Sequence, residues 1–97
     1  MSSQIPGPPL FQYGRILFTP GSIDFFGKHG TELINALVFR HLRGDWGDVS
    51  EADAKENDFS VKNGFRIMSV YTIDGDTIWI ITEADRSATT FLKPGEY

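Results

Sequence analysis

The sequence contains no cysteine. Disulfides, thiolate metal sites and cysteine nucleophiles are therefore excluded. Histidine is nearly as scarce: His29 and His41 are the only two, and neither belongs to a recognised zinc spacing. Basic residues are in deficit, 9 against 13 acids, for a net charge of −4. Nucleic-acid affinity rests largely on neutralising phosphates, so nucleic acid is not the expected partner. No apolar run approaches the roughly 18 residues of a membrane span, and no basic-then-apolar leader pattern opens the chain. A cytoplasmic protein without membrane association is expected. A Gly-rich phosphate loop and a nucleophile elbow are also missing, so no cofactor or metal is expected.

What remains is a chain of 97 residues, long enough for one modest core. Its eight phenylalanines and two tryptophans carry much of the potential burial. Residues 1–12, with Pro6-Gly7-Pro8-Pro9, read as a flexible arm whose end Phe11 or Tyr13 could anchor. Residues 13–97 read as a single domain. Residues 14–18 suit a short strand, and Thr19-Pro20 combines an N-cap with proline at the first helical position. That helix is short, with Ile23 and Phe26 three apart and Gly27 and Gly30 ending it. Thr31 is a second N-cap candidate. Leu33, Ile34, Leu37, Val38, His41 and Leu42 then recur at helical spacing up to Gly44. Ser50-Glu51-Ala52-Asp53 resembles a capping box. It opens a mostly polar helix with Ala52, Phe59 and the stem of Lys55 expected inward and Asn63-Gly64 closing it.

The C-terminal third is rich in β-branched and aromatic residues. Asp74-Gly75 between residues 65–73 and 77–82 is a strong hairpin signal. A two-residue loop sets Val70 opposite Trp79 and Arg66 opposite Glu83; a four-residue loop sets Arg66 opposite Asp85. A third strand is expected over residues 88–92. The predicted fold class is α+β, in the order β-α-α-α-β-β-β, with three helices packed on one face of a small antiparallel sheet.

Two stretches concentrate chemistry. In the first, Glu83, Asp85, Arg86, Ser87, Thr89 and Thr90 gather at a strand end, with Arg66 within reach. Such a cluster could form a polar site with an acid as base and the arginines binding an anion. Turn chemistry offers a simpler account, in which Asp85 and Ser87 accept backbone N–H groups and Glu83 pairs with Arg66. The second stretch is His41-Leu42-Arg43-Gly44-Asp45-Trp46-Gly47-Asp48. Here Trp46 could stack on a ligand beside Asp45 and Asp48. Equally, Trp46 could anchor the loop while the aspartates cap the next helix. His41 falls on an apolar helix stripe and reads as a hydrogen-bonded core histidine.

The Gly-Asp-Trp-Gly string and Ile-Thr-Glu-Ala-Asp-Arg-Ser, with Gly64-Phe65-Arg66-Ile67 and the terminal Glu96-Tyr97, resemble a family of short bacterial proteins. Its members are common on plasmids and other mobile elements and have no established activity. The resemblance runs from about residue 14 to the end. Members are sometimes labelled as a restriction methylation subunit, but this chain lacks the Asn-Pro-Pro-Tyr string and the cofactor loop that label requires. Acidity, small size, the lack of a catalytic signature and the Pro-rich arm favour a non-catalytic interaction or regulatory module whose partner is a protein, with self-association through a sheet edge as one form. The resemblance would link it to mobile elements. The alternative is a small metal-independent ribonuclease with Glu83 as base, His41 as acid and Arg66 and Arg86 as phosphate clamps.

Overall fold

In the computed structural model, which describes residues 8–97, the elements follow the expected order. They are β1 (Arg15–Phe18), α1 (Pro20–His29), α2 (Glu32–Leu42), α3 (Glu51–Asn63), β2 (Ile67–Ile73), β3 (Asp76–Thr82) and β4 (Ala88–Leu92), followed by a 3-10 turn over Pro94–Glu96. Of the expected arm, residues 1–7 lie outside the described residues. Its end is anchored as the aromatic content suggested: Phe11 stacks on Trp46 and meets His41 edge-on, and the Leu10 amide donates to the Leu42 carbonyl.

Local signals explain the helix starts. Thr19 caps α1 by accepting the Ser22 amide, with Pro20 in the first turn. Ser50 caps α3 by accepting the Asp53 amide, and Gly64 closes it in the left-handed region. Thr31 occupies the position before α2, but its hydroxyl makes no capping bond because its backbone is already helical.

The sheet has the order β1-β4-β3-β2. The hairpin register is that of the two-residue loop, with Val70 opposite Trp79. Asp74 and Gly75 both have positive φ, as a type I′ turn requires. The expected all-antiparallel sheet is corrected at one strand: β1 runs parallel to β4. Only strands joined by hairpins are constrained by sequence to be antiparallel. Three helices separate β1 from β2, and a connection of that length also permits a parallel partner.

Alternation sends Ile67, Ser69 and Tyr71 of β2, Ile78, Ile80 and Thr82 of β3, and Thr89 and Phe91 of β4 to one face. There Phe25, Phe26 and Leu37 from α1 and α2 join Tyr71, Ile78, Ile80 and Phe91 in one core cluster. Phe91 is its hub, stacked on Phe18 at 5.2 Å and meeting Phe26 edge-on at 5.0 Å. On the opposite face, Tyr97 turns back to 5.7 Å from Trp79.

The third helix departs from the expected inward set. Phe59 is 53% exposed and Ala52 and Lys55 face solvent, whereas Asn57 and Ser60 are buried. The reason is that this helix flanks the edge of β2. The Asn57 amide donates to the Met68 carbonyl at 2.7 Å and accepts the Met68 N–H at 3.2 Å. A side-chain amide thus replaces the strand that would otherwise continue the sheet.

Candidate functional site

The turn at residues 83–90 is held together by its own polar groups. Asp85 accepts the Ser87 amide at 2.9 Å. Hydrogen bonds from the Ser87 hydroxyl and amide hold its carboxyl below the usual aspartate range. Arg86 has a positive φ of 63°, and its side chain is spent on carbonyl oxygens. One terminal nitrogen donates to Phe65 at 2.7 Å, Glu83 at 3.2 Å and Ala84 at 3.3 Å, and the other to Ser60 at 2.9 Å. Ser60 and its neighbours form the C-terminal turn of α3, where carbonyls lack helical partners and a cation is favoured. Arg86 therefore staples the turn to the helix end. The expected pair across the hairpin does not form. The ladder stops at Ile67 and Thr82, Arg66 lies over the Tyr97 ring at 5.3 Å, and no ion pair among the described residues joins it to the exposed Glu83. Thr90 stands half-buried on the opposite sheet face from Thr89.

The loop after α2 is equally committed. Asp45 does not cap the next helix; it accepts two hydrogen bonds from Arg40, at 2.6 and 3.1 Å. That pairing holds its carboxyl low and the Arg40 guanidinium high. Its carbonyl accepts the Tyr71 hydroxyl at 2.6 Å, and burial pushes that phenol up to about 12. Trp46 is buried, as the anchor reading requires, and its indole N–H donates to Asp58 at 3.1 Å. Asp48 also serves β2 rather than α3: its amide donates to Val70 O at 2.6 Å, while Val70 N–H donates to Trp46 O at 3.0 Å. Gly47 between them is bridged to Val70, so close that a Cβ there would overlap the Val70 carbonyl.

His41 has no exposed surface. Its Nδ1 lies 2.6 Å from the Ser69 hydroxyl and its Nε2 2.9 Å from the Thr82 hydroxyl. Thr82 in turn lies 2.7 Å from Thr89, which donates to the Tyr13 carbonyl at 2.8 Å. Proton counting orients the whole chain, because each hydroxyl has one proton. Thr89 gives its proton to Tyr13, so Thr82 must donate to Thr89, and His41 Nε2–H must donate to Thr82. In the neutral ring Nδ1 accepts from Ser69. Burial, which lowers its pKa from 6.5 to about 3, keeps the imidazole neutral, and the network then fixes its tautomer with the proton on Nε2. The ribonuclease alternative needs this ring at a surface. Enclosed, with both nitrogens bonded internally, it offers a substrate no acid.

A further ionic cluster escaped the sequence reading. Asp76 receives His29 Nε2 at 2.9 Å on one oxygen and Lys93 on the other. These partners, Lys93 first, bring its carboxyl down to about 2. The cluster borders an open cavity of about 280 Å³ lined by Gly21, Asp24, Phe25, Lys28, Asp76 and Lys93, a set with no hydroxyl nucleophile. It ties α1 to the hairpin and to the end of β4. Nearby, Glu96 accepts the Thr19 hydroxyl at 2.5 Å and the Gly21 amide at 2.8 Å. The carboxylate thereby fills the N-terminus of α1, and its pKa is lowered. No spacing rule connects Asp76 with His29 or Lys93.

The two sheet edges are treated differently. On β2 the outward backbone groups of Met68 are taken by Asn57 and those of Val70 by Trp46 and Asp48. On β1, Arg15 N–H donates to Ser87 O and Thr19 N–H to Phe91 O. Alternation then points the N–H and C=O of Ile16 and Phe18 away from the sheet, where no backbone partner is found among the described residues. This open edge carries Leu17 at 38% and Phe18 at 37% exposure, with Ile23 of α1 at 60%. Phe18, Ile23, Phe26, Thr31 and Ile34 line an apolar cavity of about 180 Å³ next to it.

Fold and site together define a small α+β domain with a mixed four-stranded sheet and a polar network in its core, its β1 edge uncovered among the described residues. No protein-family model, curated protein or solved structure matches the chain.

Proposed function

We propose that this chain is a non-catalytic protein-interaction or regulatory module whose docking element is the open edge of β1. The observation that carries the reading is the contrast between the edges: β2 is covered at Met68 and Val70, whereas on β1 Ile16 and Phe18 have no backbone partner among the described residues and stand beside exposed Leu17, Phe18 and Ile23. An edge strand with free backbone groups and apolar flanks is a template for another strand. Two further points support it. The residues suited to catalysis are spent on internal bonds, His41 and Arg86 foremost. The net charge of −4 disfavours phosphate-rich partners. The resemblance to proteins of mobile elements gives the expected setting, a cytoplasmic protein partner encoded by the element or its host. No helix among the described residues is long and apolar enough to cross a membrane.

Affinity capture from the native host tests this, comparing wild type with Leu17→Lys, Ile23→Glu and Asp85→Ala, each checked for cooperative urea unfolding. The two edge variants should lose a specific captured protein that Asp85→Ala retains. The same captured set from all four proteins would refute the assignment.

A further inference from the structure

We infer that the occupant of the β1 edge is the β1 strand of a second copy of this chain, antiparallel about a two-fold axis through Leu17. This rests on the reading of that edge as a docking element and adds its partner. Register selects the pairing. The outward-facing residues are Ile16 and Phe18, and in an antiparallel pair two opposed residues of this kind exchange both of their hydrogen bonds. Pairing Ile16 with Phe18 of the second copy uses every outward group of the strand, for four hydrogen bonds, and brings Leu17 opposite its own symmetry mate.

The neighbouring registers fail for local reasons. Setting Phe18 opposite itself places Ile16 against Pro20, which has no N–H. Setting Ile16 opposite itself places Phe18 against Gly14, whose φ of 64° lies outside strand geometry. Shifts by one residue oppose outward groups to residues already bonded to β4.

Side chains agree with the remaining register. Arg15 is the only charged residue of β1, and it falls opposite Thr19, so no like charges meet across the seam. Phe18 of each copy lies beside Ile16 of the other on the helix side, and the two Leu17 side chains meet on the opposite face. The apolar cavity bordered by Phe18, Ile23 and Ile34 then flanks the seam from both copies. Two four-stranded sheets become one continuous sheet. The contact is isologous, as a closed dimer requires.

The absence of cysteine makes a clean test possible. Opposed residues that do not exchange hydrogen bonds lie about 4.5 Å apart at Cα, inside the range of about 4.4–6.8 Å that a disulfide tolerates. Leu17→Cys should therefore cross-link to a dimer under mild oxidation. The two thiols of Arg15→Cys would lie about 13 Å apart along the seam and should remain free. Sedimentation equilibrium of wild type over about 10–300 µM, a range suited to a small interface, should show reversible dimerisation. Leu17→Lys should weaken it at least tenfold while keeping the wild-type urea midpoint. A wild type that stays monomeric throughout, equal cross-linking of the two cysteine variants, or unchanged dimerisation of Leu17→Lys would each overturn the inference. A monomer that still loses its host partner on Leu17→Lys would remove the self-pairing and leave the interaction reading standing.

Discussion

The buried imidazole makes the protein sensitive to acid in a way that can be assigned to one residue. The unfolded chain takes up a proton at His41 below about pH 6.5, whereas the folded ring, enclosed and already bonded at both nitrogens, does so only near 3. Protons therefore favour the unfolded state across that window. The stability associated with the neutral ring is complete above pH 6.5 and declines as the pH falls. The slope approaches about 1.4 kcal/mol per pH unit, so the loss reaches about 2.7 kcal/mol by pH 4.5. For a domain of this size that corresponds to a fall in Tm of about 10–20 °C. Urea unfolding from pH 7.5 to 4.5 would measure it, with His41→Gln as the control. A glutamine can donate to Thr82 and accept from Ser69, but cannot titrate. It should cost about 1–3 kcal/mol at pH 7 through altered packing and hydrogen-bond geometry, then lose less stability than wild type as the pH falls. The carboxylates with lowered pKa values, Asp76 among them, lose their contribution mainly below this window. Titration of the His41 ring resonances near pH 6.5 in the folded protein would refute the assignment to this residue. So would a His41→Gln variant that keeps the wild-type slope.

Three other perturbations probe the polar devices. Arg86→Ala should destabilise by about 1–3 kcal/mol, because several carbonyls lose a charged donor. Arg86→Lys should recover little of this, lacking the planar fork; chemical denaturation of both variants checks it. Asn57→Leu should cost about 2–3 kcal/mol by leaving both Met68 backbone groups without their partner, with faster hydrogen exchange of the Met68 amide. Asn57→Asp should be comparably damaging at neutral pH, where a carboxylate faces the Met68 carbonyl, and should recover partly in acid once an O–H donor returns. Glu96→Ala should speed exchange of the Gly21 amide. The wild-type protection should itself fade as acidification protonates Glu96, whose folded pKa is lowered.

Sequence made the architecture legible wherever the determining interaction is local. The Thr19-Pro20 start, the Ser50 cap and the Asp74-Gly75 turn each act within a few residues, and each stands at its expected place. The hairpin turn also set the register through Trp79. Non-local choices were not legible. Nothing near residues 15–18 states that their partner is β4 or that the pairing is parallel. The inner face of α3 departs from its pattern for the same reason. Hydrophobic patterning assumes that a helix buries its apolar residues against a core, but this helix buries Asn57 against backbone. The candidate sites follow the same division. Helical spacing places His41 in the core, and short-range chemistry places Asp85 in its turn, both in agreement with the structure. The role of Arg86 needed the position of the end of α3, which lies 26 residues away at Ser60.

The contrast between the sheet edges bears on what kind of association the fold permits. Proteins blunt exposed edges with charges, proline, bulges or covering segments, because an open strand invites further strands. On β2 the cover is the Asn57 amide and the Trp46–Asp48 segment, and both have a cost: a helix gives up apolar burial, and Gly47 is needed for close approach. On β1 no such cover is found among the described residues, yet the strand is kept to four residues, with Gly14 before it and Pro20 just beyond its end. That length admits a partner in one register and no more. With β2 covered at Met68 and Val70, only Thr72 of its outward-facing residues lacks a backbone partner among the described residues, so a strand added at β1 leaves little second edge from which the sheet can grow. Two copies joined there would have used the β1 edge of each. Covering most of one edge at such cost while leaving the other short and apolar is the arrangement expected of a sheet built to pair once and then stop.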